Sequence, residues 1–125
     1  MFGRWLAHLP RGYFIHGSIA KASRVTGETA IGWIAHYVIG ILLAGALLVL
    51  QGLEWARHPT PIPALALGMV TVVFPFFVMQ PGMGAGVAAS KTPNPGRARL
   101  RSVITHTVFG IGLYVSALLS ALLWQ

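Results

Sequence analysis

The sequence predicts an all-α integral membrane bundle of three transmembrane helices with an interfacial N-terminal arm. Three observations predict it. Hydrophobic residues make up 55% of the chain and charged residues 9%, a balance unlike that of soluble domains. Three uncharged runs approach bilayer length, and the basic residues gather at the ends of those runs. The formal charge of +7 would suit a nucleic-acid binder only if Lys and Arg formed a solvated face. They do not, so the expected partner is the lipid bilayer and no nucleic acid.

Residues 1–125 read as a single membrane domain. Residues 1–29 mix aromatic and basic side chains (Phe2, Arg4, Trp5, Arg11, Tyr13, Phe14, Lys21, Arg24) and are broken by Pro10 and several glycines. Such a stretch cannot span and lacks the apolar core of a signal peptide, so it is expected to lie on the head groups. Residues 30–50 are uncharged and, at about 1.5 Å per residue, reach the hydrocarbon thickness as a first spanning helix. A polar connection with Glu54, Arg57, His58 and two prolines leads to the second, residues 62–80. Its Pro75 removes a backbone hydrogen bond, predicting a kink and a freed carbonyl at Thr71. Residues 81–101 form a loop rich in Gly, Pro and basic residues, and residues 102–124 a third spanning helix.

Orientation follows from the basic residues. Four lie in the N-terminal arm, four (Lys91, Arg97, Arg99, Arg101) in the second loop, and one, Arg57, in the first. The positive-inside rule therefore puts the N-terminus and the second loop in the cytoplasm of a bacterial inner-membrane protein. Trp33, Trp55 and Trp124 fall near helix ends and Trp5 in the arm, as interface anchors do.

The only carboxylates are Glu28 and Glu54, and there is no Cys. Paired-carboxylate hydrolysis, Asp-oriented triads and thiolate chemistry lack parts, so the chain is expected not to be an enzyme. Two stretches, Ile34 to Leu48 and Ile104 to Leu119, share the spacing His-x-x-x-Gly-Ile, aligning His36 with His106 and Gly40 with Gly110. The first and third helices run in the same direction, so both histidines sit at similar depth. Gly32, Gly40 and Gly110 fit helix packing through small residues, with each imidazole bonded to a carbonyl or to a nearby hydroxyl such as Thr105 or Thr107. On that reading no cofactor and no metal is expected. The alternative gives His36 and His106 a cofactor-binding role, as axial ligands of haem b or of a shared transition metal. A further alternative is a small oligomeric transporter with the kinked helix as its moving part and His36 as a proton switch.

Gly82, Gly84 and Gly86 ahead of Lys91 and Thr92 resemble a phosphate loop poorly, since no strand precedes them and the spacing is wrong. Lipid head-group contact by Lys91, Arg97, Arg99 and Arg101 fits a basic loop on an anionic leaflet better.

Several stretches carry a family resemblance: GRW at Gly3 to Trp5, HLPRG at His8 to Gly12, GW-x-x-HY at Gly32 to Tyr37, FFVMQP-x-MG-x-G at Phe76 to Gly86, and the AAS-x-TP, RLRS and HTVFG-x-GLY segments. Over nearly the whole chain these resemble a family of small bacterial inner-membrane proteins catalogued as a domain of unknown function, DUF2938. The resemblance implies a membrane location and no particular activity, ligand or partner. Members of that family begin with a further hydrophobic helix carrying an Asp, so a helix upstream of GRW is expected in a full-length relative. The role expected is that of a non-enzymatic accessory or structural protein, packed with itself or with a membrane-protein partner. If Lys91, Arg97, Arg99 and Arg101 fix topology, neutralising three of them will invert or scramble the orientation, read by labelling single introduced cysteines with an impermeant reagent, while lipid selectivity stays unchanged.

Overall fold

A computed structural model describes residues 1–125 and is entirely helical and irregular, without strands. Helix α1 covers Phe2–His8, α2 Glu28–Arg57, α3 Pro61–Gly82 and α4 Pro95–Leu123. Short 3-10 turns lie at Leu9–Arg11, Ile19–Lys21 and Val87–Ala89. Helices α2, α3 and α4 are long and apolar enough to cross a membrane, which marks the chain as a membrane protein. Their apolar side chains stay largely uncovered, among them Leu42, Val49 and Leu50 of α2 and Leu123 of α4.

Each helix runs past its expected limits for a local reason. Glu28 begins α2 ahead of the apolar run, its carboxylate accepting from the Val25 N–H at 3.1 Å in the manner of a capping box. At the far end Gly52, with φ +80° and ψ 170°, breaks the helical path where the polar connection was expected. The turn beyond it carries an exposed Arg57–Glu54 pair at 3.0 Å. Helix α4 starts at Pro95 rather than Ser102. Asn94 Oδ1 accepts from the Arg97 N–H at 3.1 Å, and Pro95 occupies the first helical position that suits its fixed φ. The correction moves Arg97, Arg99 and Arg101 from a loop onto the first turns of a helix.

Pro75 acts as expected but by a particular device. The α-helical part of α3, Pro61–Val70, is capped at Thr71, and the path resumes as a π-helical turn over Pro75–Met79 before Gln80–Gly82. A π turn absorbs the missing N–H within the helix, a common way to accommodate a bulge.

The chain, expected as one domain, divides into two compact units. The first joins Met1–Ile39 with Val73–Leu100, the second Gly40–Val72 with Arg101–Gln125. In the second, Leu47, Trp55 and Ala64 form a small core with Leu67, Leu113, Tyr114 and Ala117 packed around it. The tightest approach there is glycine on glycine. A Cβ at Gly68 would lie 2.8 Å from Gly110 Cα and 2.6 Å from the His106 carbonyl, and one at Gly110 would meet Ala64 O and Leu65 Cα at 3.0 Å. In lipid, where apolar burial gives no net drive, such close backbone contact is a principal source of helix association.

Not every glycine is used this way. A Cβ at Gly40 would meet only Phe109 Cε2 at 3.8 Å, and one at Gly112 nothing within 4 Å. Gly68→Ala should therefore destabilise the protein by about 1–3 kcal/mol through overpacking against backbone, and Gly112→Ala should be neutral or slightly stabilising through helix propensity. Thermal unfolding of the two variants in detergent, followed by circular dichroism, checks the contrast.

Candidate functional site

The polar chemistry of the first unit converges where the N-terminal segment folds back on the start of α2 and on residues 82–84. Arg4, Trp5 and His8 of this segment are packed against protein, while Tyr13, Phe14 and Ile15 stay exposed. Arg4, 7% exposed, donates Nε to Glu28 Oε2 at 2.8 Å and Nη2 to Oε1 at 2.7 Å, the two-pronged geometry that guanidinium alone supplies. Its Nη1 reaches the carbonyl of Ile19 at 3.1 Å and those of Ala20 and Ala22 at 3.4 Å. The hydrogen bonds to Glu28 hold the Arg4 pKa above its ordinary value against the opposing effect of burial. A guanidinium so held remains charged throughout the working pH range.

The helix carrying Arg4 can approach α2 only because Gly3 and Gly32 face each other. A Cβ at Gly32 would sit 3.1 Å from Gly3 N, and one at Gly3 would run into the Glu28 carbonyl. Next to Arg4, Trp5 is buried and donates Nε1 to Phe14 O at 2.9 Å. Its indole lies against Gly82, where a Cβ would come 2.7 Å from Nε1.

The N-terminal chain then lies along the glycine-rich segment. His16 N–H donates to Gly82 O at 2.8 Å and Ile19 N–H to Met83 O at 2.9 Å. Gly84, at φ +87°, would place any Cβ about on the Gly17 carbonyl, 2.5 Å away. These glycines serve backbone contact, a physical reason for their spacing that no phosphate is needed to explain. Ala88 and Ala89 also adopt positive φ, 48° and 60°, a conformation costing about 1–2 kcal/mol for an L residue. Arg99 Nε donates to Ala88 O at 2.7 Å and helps hold it.

The sequence-derived residues distribute as follows. His36 belongs to the first unit and lines an open groove of about 350 Å³ with Phe2, Glu28, Thr29 and Trp33. Its ring stands edge-on to Trp33 at 6.1 Å between centroids, with Tyr37 at 6.4 Å. His106 belongs to the second unit, where its Nδ1 is 2.9 Å from Thr71 Oγ1. The Thr71 hydroxyl gives its proton to Gly68 O at 2.7 Å, so His106 Nδ1 is the donor. Thr105 and Thr107, expected as partners of His106, instead donate to carbonyls one turn back, Arg101 O at 2.8 Å and Val103 O at 2.9 Å, the usual competition within a helix. The two histidines are therefore engaged separately, each in its own unit. Gly32 and Gly110 stand at close backbone approaches and Gly40 does not. Lys91, Arg97, Arg99 and Arg101 are all exposed.

Of the tryptophans, Trp33 and Trp124 are exposed, as anchors would be, whereas Trp5 and Trp55 are buried at 8% exposure. Trp55 Nε1 donates to Thr60 Oγ1 at 3.2 Å, which lets the indole pack inward.

The residues whose contacts pattern reading missed are Arg4, Trp5, His8, His16, Gly68 and Thr71. The signal for the first three lay in the GRW and HLPRG motifs. His8 Nε2 lies 3.2 Å from Ser23 O, and its Nδ1 is 3.4 Å from His16 Nε2. The arrangement as a whole is a clasp of backbone and side-chain hydrogen bonds centred on one ion pair. Arg4→Ala and Glu28→Gln should each lower the melting temperature, the double variant by clearly less than the sum, and Arg4→Lys should fail to rescue because ammonium cannot reach both oxygens. Thermal unfolding followed in the near ultraviolet measures this.

No curated protein and no solved structure matches the chain. The family described as "Protein of unknown function (DUF2938)" matches over residues 1–120, a span that includes the clasp, the glycine contacts and all three apolar helices. The chain belongs to the DUF2938 family.

Proposed function

We propose that this protein is a non-enzymatic accessory or structural subunit of the bacterial inner membrane, working through packing with itself or with another membrane protein. One observation carries the reading: the chain commits these chemistry-bearing groups to contacts within itself. Arg4 and Glu28 neutralise each other, Thr71 and His106 tie α3 to α4, and Trp5 and Trp55 are committed to internal acceptors. What the protein offers outward is apolar helix surface and a row of exposed basic residues at the start of α4. Surfaces of that kind recognise lipids and other helices through shape and charge. The orientation with the N-terminus and residues 81–101 in the cytoplasm rests on the eight-to-one distribution of basic residues.

Extraction in mild detergent should yield an assembly larger than one chain, either a homo-oligomer by light scattering or a stoichiometric complex by mass spectrometry. A monodisperse monomer without companions would overturn the reading. A haem absorbance band lost in His36→Ala and His106→Ala, or solute flux in liposomes, would replace it with a carrier or a transporter.

A further inference from the structure

The clasp holds one contact that its hydrogen bonding leaves unbalanced. His8 and His16 approach ring to ring, with His8 Nδ1 and His16 Nε2 3.4 Å apart. The opposite nitrogen of each ring faces a backbone carbonyl: His8 Nε2 faces Ser23 O at 3.2 Å and His16 Nδ1 faces Gly82 O at 3.4 Å. A carbonyl only accepts, so each outer nitrogen carries the proton. In the neutral rings the two inner nitrogens then present lone pairs to each other. Two lone pairs at that separation repel unless a cation lies between them.

We propose that His8 and His16 form a binding site for a divalent transition metal ion of the zinc class. Four features of the geometry fit. First, two imidazole nitrogens at about 2.0–2.1 Å from one tetrahedral ion stand about 3.4 Å apart, and the observed separation is 3.4 Å. Second, rings radiating from such an ion would have centroids about 5.2 Å apart, and these stand at 5.2 Å with 61° between planes. A linear N–H···N bond of the same length would push the centroids further apart. Third, each ring donates its remote N–H to a carbonyl, the outer arrangement that fixes the tautomer and orientation of metal-binding histidines. Fourth, the site is sheltered, with His8 buried and His16 half-buried.

Imidazole pairs favour zinc, copper and their neighbours over magnesium or calcium. The chain contributes two ligands, so water or a group from another molecule completes the coordination, and the ion keeps exchangeable positions. It would also cross-link α1 to the irregular segment after it, which in turn is bonded to Gly82 and Met83.

The full chain, stripped with chelator in detergent, is titrated with Zn2+ by calorimetry and with Co2+ by visible absorption. The expected result is one ion per chain with tetrahedral cobalt bands, weakened about tenfold or more by His8→Ala or His16→Ala, and unchanged in His36→Ala, His58→Ala and His106→Ala. Because the sequence has no Cys, His16→Cys adds a gain-of-signal arm: a folded His16→Cys protein should show a thiolate-to-cobalt charge-transfer band that the parent lacks. Absence of saturable binding, binding that survives both alanine substitutions, or no charge-transfer band in folded His16→Cys overturns the proposal. So does nitrogen NMR showing a doubly protonated His16 in a chain that takes up no cobalt, which would put a proton in the metal's place.

Discussion

A buried arginine is tolerable only when its charge is paired and its donors are met, and Arg4 meets that condition through Glu28. Both carboxylate oxygens and three carbonyls are used, at distances from 2.7 to 3.4 Å. The dependence is mutual. Glu28 opens α2, so the pair fixes where the first spanning helix begins and against which surface α1 lies. Once Arg4 is placed, Trp5 is carried onto Gly82 and His8 onto Ser23. Removing either partner would leave the other as an uncompensated charge among apolar groups, which is why such pairs are far costlier to break than to replace as a whole.

The two units solve the same association problem with the same material. In both, glycines let backbone meet backbone: Gly3 with Gly32 and Gly84 with Gly17 in the first, Gly68 with Gly110 in the second. Each close approach is accompanied by a polar bond that fixes register, Arg4 to Glu28 in one and Thr71 to His106 in the other. Intramembrane hydrogen bonds contribute only about 0.6 kcal/mol on average, so Thr71 and His106 orient the helices more than they hold them. The backbone packing supplies the larger share.

Hydropathy alone made the three apolar helices legible, because uncharged runs of twenty residues have few other uses. Their ends were less so. The start of α4 was misplaced by seven residues since three arginines within the first two turns run against the helix dipole, yet Asn94 and Pro95 supply the cap and the first-turn geometry that override it. The N-terminal segment reads as an interfacial arm because its mixed composition matches one, and composition says nothing of its contacts with the rest of the chain. Those contacts reach residues more than sixty positions away, such as His16 with Gly82, and no local pattern encodes them. Gly32 and Gly110 could be picked out because each lies one turn from a histidine, whereas Gly68, with Ala64 one turn before it, stands outside that pattern and emerged only when α3 was seen to touch α4. The histidine pair escaped for a similar reason: eight residues and an irregular turn separate His8 from His16, and no helical or strand periodicity brings them together.

The clasp also carries a consequence for biogenesis. Its two halves are made at different times, since the Arg4–Glu28 pair closes within the first 28 residues whereas Gly82 and Met83 follow only after the second apolar helix. During synthesis the N-terminal segment must therefore emerge, wait through two membrane insertions and only then close on the glycine-rich turn. Until that moment Gly82 and Gly84 have bare backbone toward their eventual partners. Completion of the fold is thus a late, long-range step that follows synthesis of the second apolar helix.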